Sequence, residues 1–186
     1  MSGVSPGERP PGDPPHGGAA HPPVPPRPPR PPRPGPWHRQ TARVLPVDPE
    51  GRVLLLHGWD PHHPERPYWF TIGGAADPGE SMRDAAVREL YEETRISVAP
   101  AQLGEPITQN TIEFSWGGRH IVQDQVFYAV LLESAEVSLD GLDLWERATT
   151  DKYGWLTAED LEAGEHPAHS ELPDLIRAAV ASVRRE

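Results

Sequence analysis

Hydrophobic and polar positions alternate along residues 37–186 in a pattern typical of strands separated by helices. The alternation predicts six strands, over residues 43–47, 52–57, 68–72, 107–116, 119–132 and 153–156. The first two are joined by Asp48-Pro49-Glu50-Gly51, a common turn sequence. Gly117-Gly118 separates the two longest strands and favours a tight hairpin, because such turns require positive φ angles that glycine accepts.

Three helices are predicted, over residues 81–94, in a short segment that begins at 157, and over residues 172–184. Ser81 and Asp84 have the spacing of an N-terminal capping box, and Thr157 and Asp160 repeat it. Residues 133–151 show no clear period and are expected to form a loop. The order of elements indicates the α/β class, with helices packed against a mixed sheet.

Residues 1–36 differ in composition from the rest of the chain. They contain more than half of the 25 prolines and no aromatic residue, with a Pro-Pro-Arg rhythm over residues 22–36. Such a segment cannot pack a core and favours extended polyproline II conformations. We therefore expect a disordered Pro/Arg-rich tail over 1–36 and one folded domain over 37–186. A second hypothesis for the tail is recognition by a partner that reads PxxP sequences.

Charge and composition restrict the classes of function. The formal net charge is −11, and because the tail carries four arginines against Glu8 and Asp13, residues 37–186 carry −13. So acidic a domain is not expected to offer a broad nucleic-acid groove, although metal ions would let it bind a phosphorylated small molecule. The chain has no cysteine and no apolar run long enough to span a membrane. We expect a cytoplasmic protein, with a homodimer as the commonest form of assembly.

One stretch, residues 73–96, concentrates the candidate chemistry. Glu89, Glu92 and Glu93 fall within an arc of about 100° on the predicted helix. Carboxylate oxygens gathered in this way repel one another and are the ligands that Mg²⁺ or Mn²⁺ prefers. A divalent ion would relieve the repulsion and attract a phosphate. The pattern therefore predicts a metal site on this helix.

Residues beside the carboxylates fit the same interpretation. Gly73 and Gly74 precede the helix, and glycine lets the backbone approach a ligand closely. The free N–H groups of the helix start favour anions. Arg88 is spaced to pair with Glu92 at i,i+4 and so to hold a ligand carboxylate in position.

The spacing of the whole stretch resembles the Nudix box. The matching positions are Gly74, Glu80, Arg88, Glu89, Leu90, Glu92, Glu93 and Ile96. The one departure is Arg95, which stands where the box has glycine. Because a residue just after a helix often adopts the left-handed conformation, arginine there is expected to lower stability or to shift the turn.

The resemblance implies a Nudix-type α/β/α sandwich with a mixed sheet. It implies metal-dependent hydrolysis of a pyrophosphate bond in a nucleoside diphosphate linked to another group. By position, Glu89, Glu92 and Glu93 would be metal ligands assisted by Glu80, and Arg88 would orient a glutamate. Glu146, in the segment before the last strand, matches a position that serves in a bacterial subgroup as metal ligand or general base. Asp140, Asp143 and Asp151 are the other acidic residues available there.

Aromatic residues supply candidates for stacking on a nucleobase. Trp116 lies beside the hairpin glycines and Trp59 lies in a loop, so both are predicted to contact substrate. Trp69 and Trp155 are flanked by strand-like apolar residues and are predicted to be core.

Three other functions stay open at this point. Arg95 favours a Nudix-fold module that binds a nucleotide without cutting it. An isomerase acting on a small diphosphate would be expected to need a catalytic cysteine, which the chain lacks. An interaction protein would work through its Pro/Arg-rich tail.

Overall fold

The computed structural model describes residues 36–116 and 118–184. The predicted tail therefore lies outside the described residues, except for Pro36. The strands are β1 Trp37–Val47, β2 Val53–Gly58, β3 Tyr68–Phe70, β4 Thr108–Trp116, β5 Arg119–Leu131 and β6 Thr150–Leu156. The α-helices are α1 Met82–Thr94, α2 Leu144–Thr149, α3 Ala158–Glu162 and α4 Leu172–Val183. Short 3-10 helices cover Pro100–Leu103 and Leu139–Gly141.

The six strands form one mixed sheet in the order β3-β2-β1-β5-β4, with β6 paired to β2. β1 and β5 run parallel over their length, from Trp37↔Ile121 to Val47↔Leu131, and all other pairs are antiparallel. β1 meets β2 only near their shared turn, at Val47↔Val53. Beyond that point the segment of Ile72 to Ala75 lies along β1 instead, through the bridges Val44↔Ile72 and Thr41↔Ala75.

Alternation along the strands divides the core between the two faces of the sheet. On one face, Val44 of β1 and Tyr128 of β5 pack with Ala86 and Leu90 of α1. On the other, Leu45 and Phe127 belong to a second cluster, which contains the buried residues of α3 and α4, Ala158, Leu161, Leu172, Leu175, Ile176 and Ala179. The expected α/β fold with helices on both faces of a mixed sheet is confirmed.

Local capping signals placed the helices well. The Ser81 side chain accepts a hydrogen bond from the Asp84 N–H at the start of α1. Thr157 and Asp160 form the predicted box at the start of α3. The loop predicted over residues 133–151 is wrong in part, because α2 lies within it.

Arg95 adopts the left-handed conformation that the box glycine would supply, with φ 62° and ψ 10°. Its N–H donates to the Tyr91 carbonyl and its guanidinium lies 5.1 Å from the centroid of the Tyr91 ring. The left-handed C-cap is therefore formed with arginine in place, and the strain falls on one residue rather than on α1.

Candidate active site

A cavity of about 710 Å³ opens where the β1 strand parts from β2. Its lining contains Gly73 and Gly74 of the segment from Ile72 to Ala75, which we call the glycine segment. The lining also contains two carboxylates of α1, residues of α2 and several aromatic rings. All four residues predicted to bind substrate are among them: Gly73, Gly74, Trp59 and Trp116. The structure therefore brings the predicted substrate residues to one place.

Glu89 and Glu93 reach this cavity because of the two glycines. Both side chains are largely buried, with residue exposures of 8% and 6%. Glu93 Oε2 accepts a hydrogen bond of 2.8 Å from the Gly73 N–H. A Cβ atom at Gly74 would lie 2.5 Å from Glu89 Oε1, so the absence of a side chain at 74 is what leaves room for the Glu89 carboxylate.

Glu146 joins these two carboxylates from a different part of the chain. It is the third residue of α2, whose start is capped by Asp143. Glu146 Oε2 accepts a 2.8 Å hydrogen bond from the Asp143 N–H, and both residues line the cavity. Of the alternatives, Asp151 instead makes a 2.6 Å hydrogen bond with His57 Nδ1.

Arg88 binds three carboxylates of the predicted set, those of Glu80, Glu89 and Glu92. It grips Glu80 through two hydrogen bonds of 2.9 Å, from Nε and from Nη2. Its Nη1 donates to Glu89 Oε1 at 2.8 Å and to Glu92 Oε2 at 3.0 Å. Its Nη2 also donates to the Ala75 carbonyl, which ties α1 to the glycine segment. Glu80 and Glu92 thus contact Arg88 outside the cavity lining, whereas Glu89 both contacts Arg88 and lines the cavity with Glu93.

Burial and mutual repulsion perturb the carboxylates in the cavity. The pKa of Glu93 is raised well above its usual value by burial and then by the charges of Glu146 and Glu89. Burial is also the main cause that raises the pKa of Glu89 and of Glu146. Hydrogen bonds from Arg88 lower the pKa of Glu80 instead. The cavity therefore holds three carboxylates whose ionised forms are disfavoured by burial, and of these three Glu89 is paired with Arg88.

This donor set fits a divalent cation by its chemistry. Among the described residues, no three acidic or histidine side chains are already close enough to grip one ion. The three carboxylates nevertheless line one cavity, and the charges of Glu89 and Glu146 destabilise the ionised form of Glu93. Hard oxygen ligands in such a setting are what Mg²⁺ and Mn²⁺ require. Their roles as ligands stay predictions.

Aromatic rings form a second part of the cavity lining. The Trp116 and Trp145 rings make an edge contact, with centroids 6.4 Å apart and planes inclined at 60°. The rings of Tyr68 and Phe70 pack similarly at 5.9 Å. Trp59 is 8% exposed and lines the same space. Trp69, predicted to be core, is buried at 4% exposure and donates its indole N–H to Glu165.

Sequence reasoning missed the polar floor of the cavity. Arg39 and Arg43 of β1 lie on the same face as Gln123 and Gln125 of β5, because β1 and β5 are paired in parallel register. Arg39 Nε donates to Gln123 Oε1, and Gln123 Nε2 donates to Gln125 Oε1. The signal in the sequence that could have revealed these residues was the presence of polar side chains within predicted strands. That signal alone does not distinguish the lining of a cavity from a strand exposed to solvent.

The helices of the described region are all too short, or too polar, to cross a lipid bilayer.

Comparison with known proteins gives a consistent result. The family model described as NUDIX domain matches residues 37–178. An RNA pyrophosphohydrolase of Erythrobacter litoralis is 30% identical over 111 residues, which are 55% of this chain and 66% of that protein. One of Rhodopseudomonas palustris is 32% identical over 112 residues, covering 55% of this chain and 63% of the relative. The chain thus spans slightly less than two thirds of the length of these relatives.

A solved structure supports the fold. The crystal structure of a MutT protein from Methanosarcina mazei aligns with a TM-score of 0.60 and 18% identity, covering 81% of this chain and 98% of that one. At such low identity the likeness concerns the arrangement of strands and helices.

Proposed function

Because the chain belongs to the NUDIX domain family, we propose that it is a divalent-metal-dependent hydrolase. Its substrate would be a nucleoside diphosphate linked to another group, and the bond cut would be the pyrophosphate linkage. One observation carries the proposal: Glu89, Glu93 and Glu146, from two separate helices, line the same cavity as the aromatic rings.

The metal would be held by Glu89, Glu93 and Glu146. Glu80 and Glu92 would support them through their ion pairs with Arg88, and we call Arg88 and its three glutamate partners the Arg88 cluster. A bound Mg²⁺ or Mn²⁺ would neutralise negative charge that develops on the phosphate oxygens. Arg88 would keep the Glu89 carboxylate in place, since their 2.8 Å contact is one of the shortest in the cluster.

Glu146 is our candidate for the general base. A water oxygen attacks one phosphorus in line, and the bond from that phosphorus to the bridging oxygen breaks. The Glu146 carboxylate takes the proton that the water loses. Its pKa, raised by burial, suits this task because a base works best when its pKa lies nearer the working pH.

Trp116 and Trp59 are our candidates for contact with the nucleobase. Both rings line the cavity, and stacking on such rings is tolerant of which base is bound. The net charge of −13 over residues 37–186 argues against extensive contact with a nucleic-acid backbone. Since two relatives are named RNA pyrophosphohydrolases, a triphosphorylated RNA end nevertheless belongs among the candidate substrates.

The test is a substrate panel with Mg²⁺ or Mn²⁺. It should contain nucleotide sugars, ADP-ribose, dinucleoside polyphosphates, oxidised nucleoside triphosphates and a short triphosphorylated RNA. We expect turnover of at least one, release of two phosphorylated fragments or of pyrophosphate, and no turnover after chelation. Glu92→Gln and Glu93→Gln are each expected to reduce turnover at least about tenfold, which corresponds to about 1.4 kcal/mol in the barrier. Equal rates in mutant and wild type would refute the assigned roles.

The alternative is a module that binds a nucleotide without hydrolysing it. The sequence feature that favoured it was Arg95. Because Arg95 adopts the left-handed conformation expected of the glycine in the box, it gives this alternative no further support. We also propose that the functional unit is residues 37–186. Deletion of residues 1–36 is then expected to leave turnover unchanged, and a loss of turnover would make the tail part of the enzyme.

A further inference from the structure

Arg43 is a charged residue in the cavity to which the proposed reaction gives no task. It lies on β1, is partly buried and lines the cavity beside the carboxylates. Its Nη1 donates to the Gly73 carbonyl at 2.6 Å and to the Thr71 carbonyl at 3.4 Å, and its Nε donates to Gln125 Oε1 at 3.3 Å. The guanidinium therefore bridges β5 and the glycine segment.

Gly73 connects Arg43 to Glu93. Its carbonyl accepts from Arg43, while its N–H donates to Glu93 Oε2 at 2.8 Å. The residue has φ 129°, and a Cβ atom there would overlap the Ala42 carbonyl oxygen. Glycine alone can occupy the position, and glycine is also the residue with the greatest backbone freedom to lose. The conformation that orients Glu93 therefore depends on contacts from outside the segment.

The positive charge of Arg43 lies near Glu89 and Glu93 without a direct ion pair to either carboxylate. Burial lowers the pKa of Arg43, whereas the charges of Glu93 and Glu89 act in the opposite direction. Within residues 36–116 and 118–184, Arg43 makes no direct ion pair with either glutamate. Its strong donors go to backbone carbonyls and to Gln125. The carboxylate oxygens are thus left for a cation rather than consumed by the guanidinium.

We propose that Arg43 is a positioning residue that acts through Gly73: it fixes the glycine segment so that the Gly73 N–H holds Glu93 in its place at the cavity. The inference rests on the proposed function, since it assigns to Glu93 a part in metal binding. It differs from a direct contact between Arg43 and a substrate phosphate, which would act on substrate affinity instead.

The test compares Arg43→Met with Arg43→Lys and with Arg39→Met as a matched control. Arg39 lies four residues earlier on the same face of β1 and also bonds a glutamine of β5, but has no hydrogen bond to Gly73. For each variant we would measure kcat and KM on the best substrate of the panel, Mn²⁺ affinity without substrate, and hydrogen exchange at the Gly73 amide. Thermal unfolding shows whether each variant is folded.

In Arg43→Met we expect kcat to fall at least about tenfold with KM changed by less than about threefold, as for loss of an interaction made in the transition state. Mn²⁺ affinity should fall several-fold and the Gly73 amide should exchange at least about tenfold faster. Arg43→Lys should recover part of each effect, because an ammonium still donates to the Gly73 carbonyl. Arg39→Met should leave Mn²⁺ affinity and Gly73 exchange unchanged.

Two results would overturn the inference. One is a rise in KM with kcat and Mn²⁺ affinity unchanged in Arg43→Met, which would make Arg43 a substrate contact. The other is hydrogen exchange at the Gly73 amide that is as slow in Arg43→Met and in Arg43→Lys as it is in Arg39→Met. Because exchange needs neither metal nor substrate, it tests Arg43 even if the wild-type protein hydrolyses nothing on the panel.

Discussion

The Glu89 carboxylate lies where a side chain at position 74 would begin, since a Cβ atom on Gly74 would be 2.5 Å from Oε1 and 2.7 Å from Oε2 of Glu89. Gly74 is thus required for space rather than for an unusual φ angle. The glycine of the box and its first helical glutamate are two parts of one contact, although they stand 15 positions apart in the sequence.

Gly74→Ala is therefore expected to displace Glu89 while the chain still folds. We predict a fall in turnover of at least about tenfold, together with a smaller thermal stabilisation by Mn²⁺ than in wild type. Differential scanning calorimetry with and without Mn²⁺, beside steady-state kinetics, measures both. Gly164→Ala is the control, because Gly164 has φ 137° with open space around it and should lose stability without losing Mn²⁺ binding. Full activity in Gly74→Ala would contradict the prediction.

Arg88→Met should reduce catalysis and metal binding much more than it reduces the stability of the fold. Arg88 contacts Glu80, Glu89 and Glu92, and its loss leaves the buried Glu89 beside two other acids. We expect at least a tenfold fall in kcat and weaker Mn²⁺ binding in titration calorimetry. Arg177 is a matched control, since it too contacts three carboxylates, but on the exposed surface of α3 and α4.

Arg177→Met should change the free energy of unfolding little, as is usual for exposed ion pairs, and leave kcat unchanged. If both arginine variants lose kcat equally, the Arg88 cluster has no special part in the site.

Glu146→Gln should separate proton transfer from metal binding. If Glu146 is the base, its amide cannot take the proton, and kcat should fall by about 100-fold or more, within the range usual for general-base catalysis. Mn²⁺ affinity should fall by a smaller factor than kcat, because Glu89 and Glu93 remain as candidate ligands. Asp143→Asn serves as control for the fold of α2, whose first N–H groups Asp143 caps. A Glu146→Gln variant with wild-type kcat would exclude the residue as base.

Trp116→Leu should weaken substrate binding and leave the chemical step intact. Stacking of a base on an aromatic ring contributes about 1–3 kcal/mol, so KM is expected to rise about fivefold or more with kcat within about twofold. Tyr153→Leu is the comparison, since Tyr153 is a 41% exposed aromatic residue on β6 outside the cavity lining. An unchanged KM in Trp116→Leu would remove that ring from the substrate site.

Features governed by neighbouring residues could be predicted from the sequence. The α1 helix and its Ser81 cap follow from spacing alone and are formed in the structure. Of the predicted group Glu89, Glu92 and Glu93, the first and last line the cavity. Arg95 was correctly identified as the position of the left-handed turn. In each case the contact lies within one or two helical turns.

Features that depend on distant pairing could not be predicted. Gln125 and Arg43 are 82 positions apart and meet only because β1 and β5 pair in one particular register. α2 has six residues, too few to display a helical period, so the capping-box spacing of Asp143 and Glu146 was the signal in the sequence that could have located it. The placement of Glu92 on Arg88, rather than at the cavity, likewise reflects a choice among side-chain rotamers that spacing does not determine.

The parallel ladder of β1 and β5 has a consequence for how the protein reaches its native state. It joins residues such as Arg39 and Gln123, which are 84 positions apart, so the chain must close a very long loop before this ladder can form. We expect α1 and the β4–β5 hairpin to form earlier, because their contacts are local. A chain arrested between these stages would contain every acidic group of the motif without a cleft to hold a ligand, and catalytic competence should be among the last properties to return on refolding.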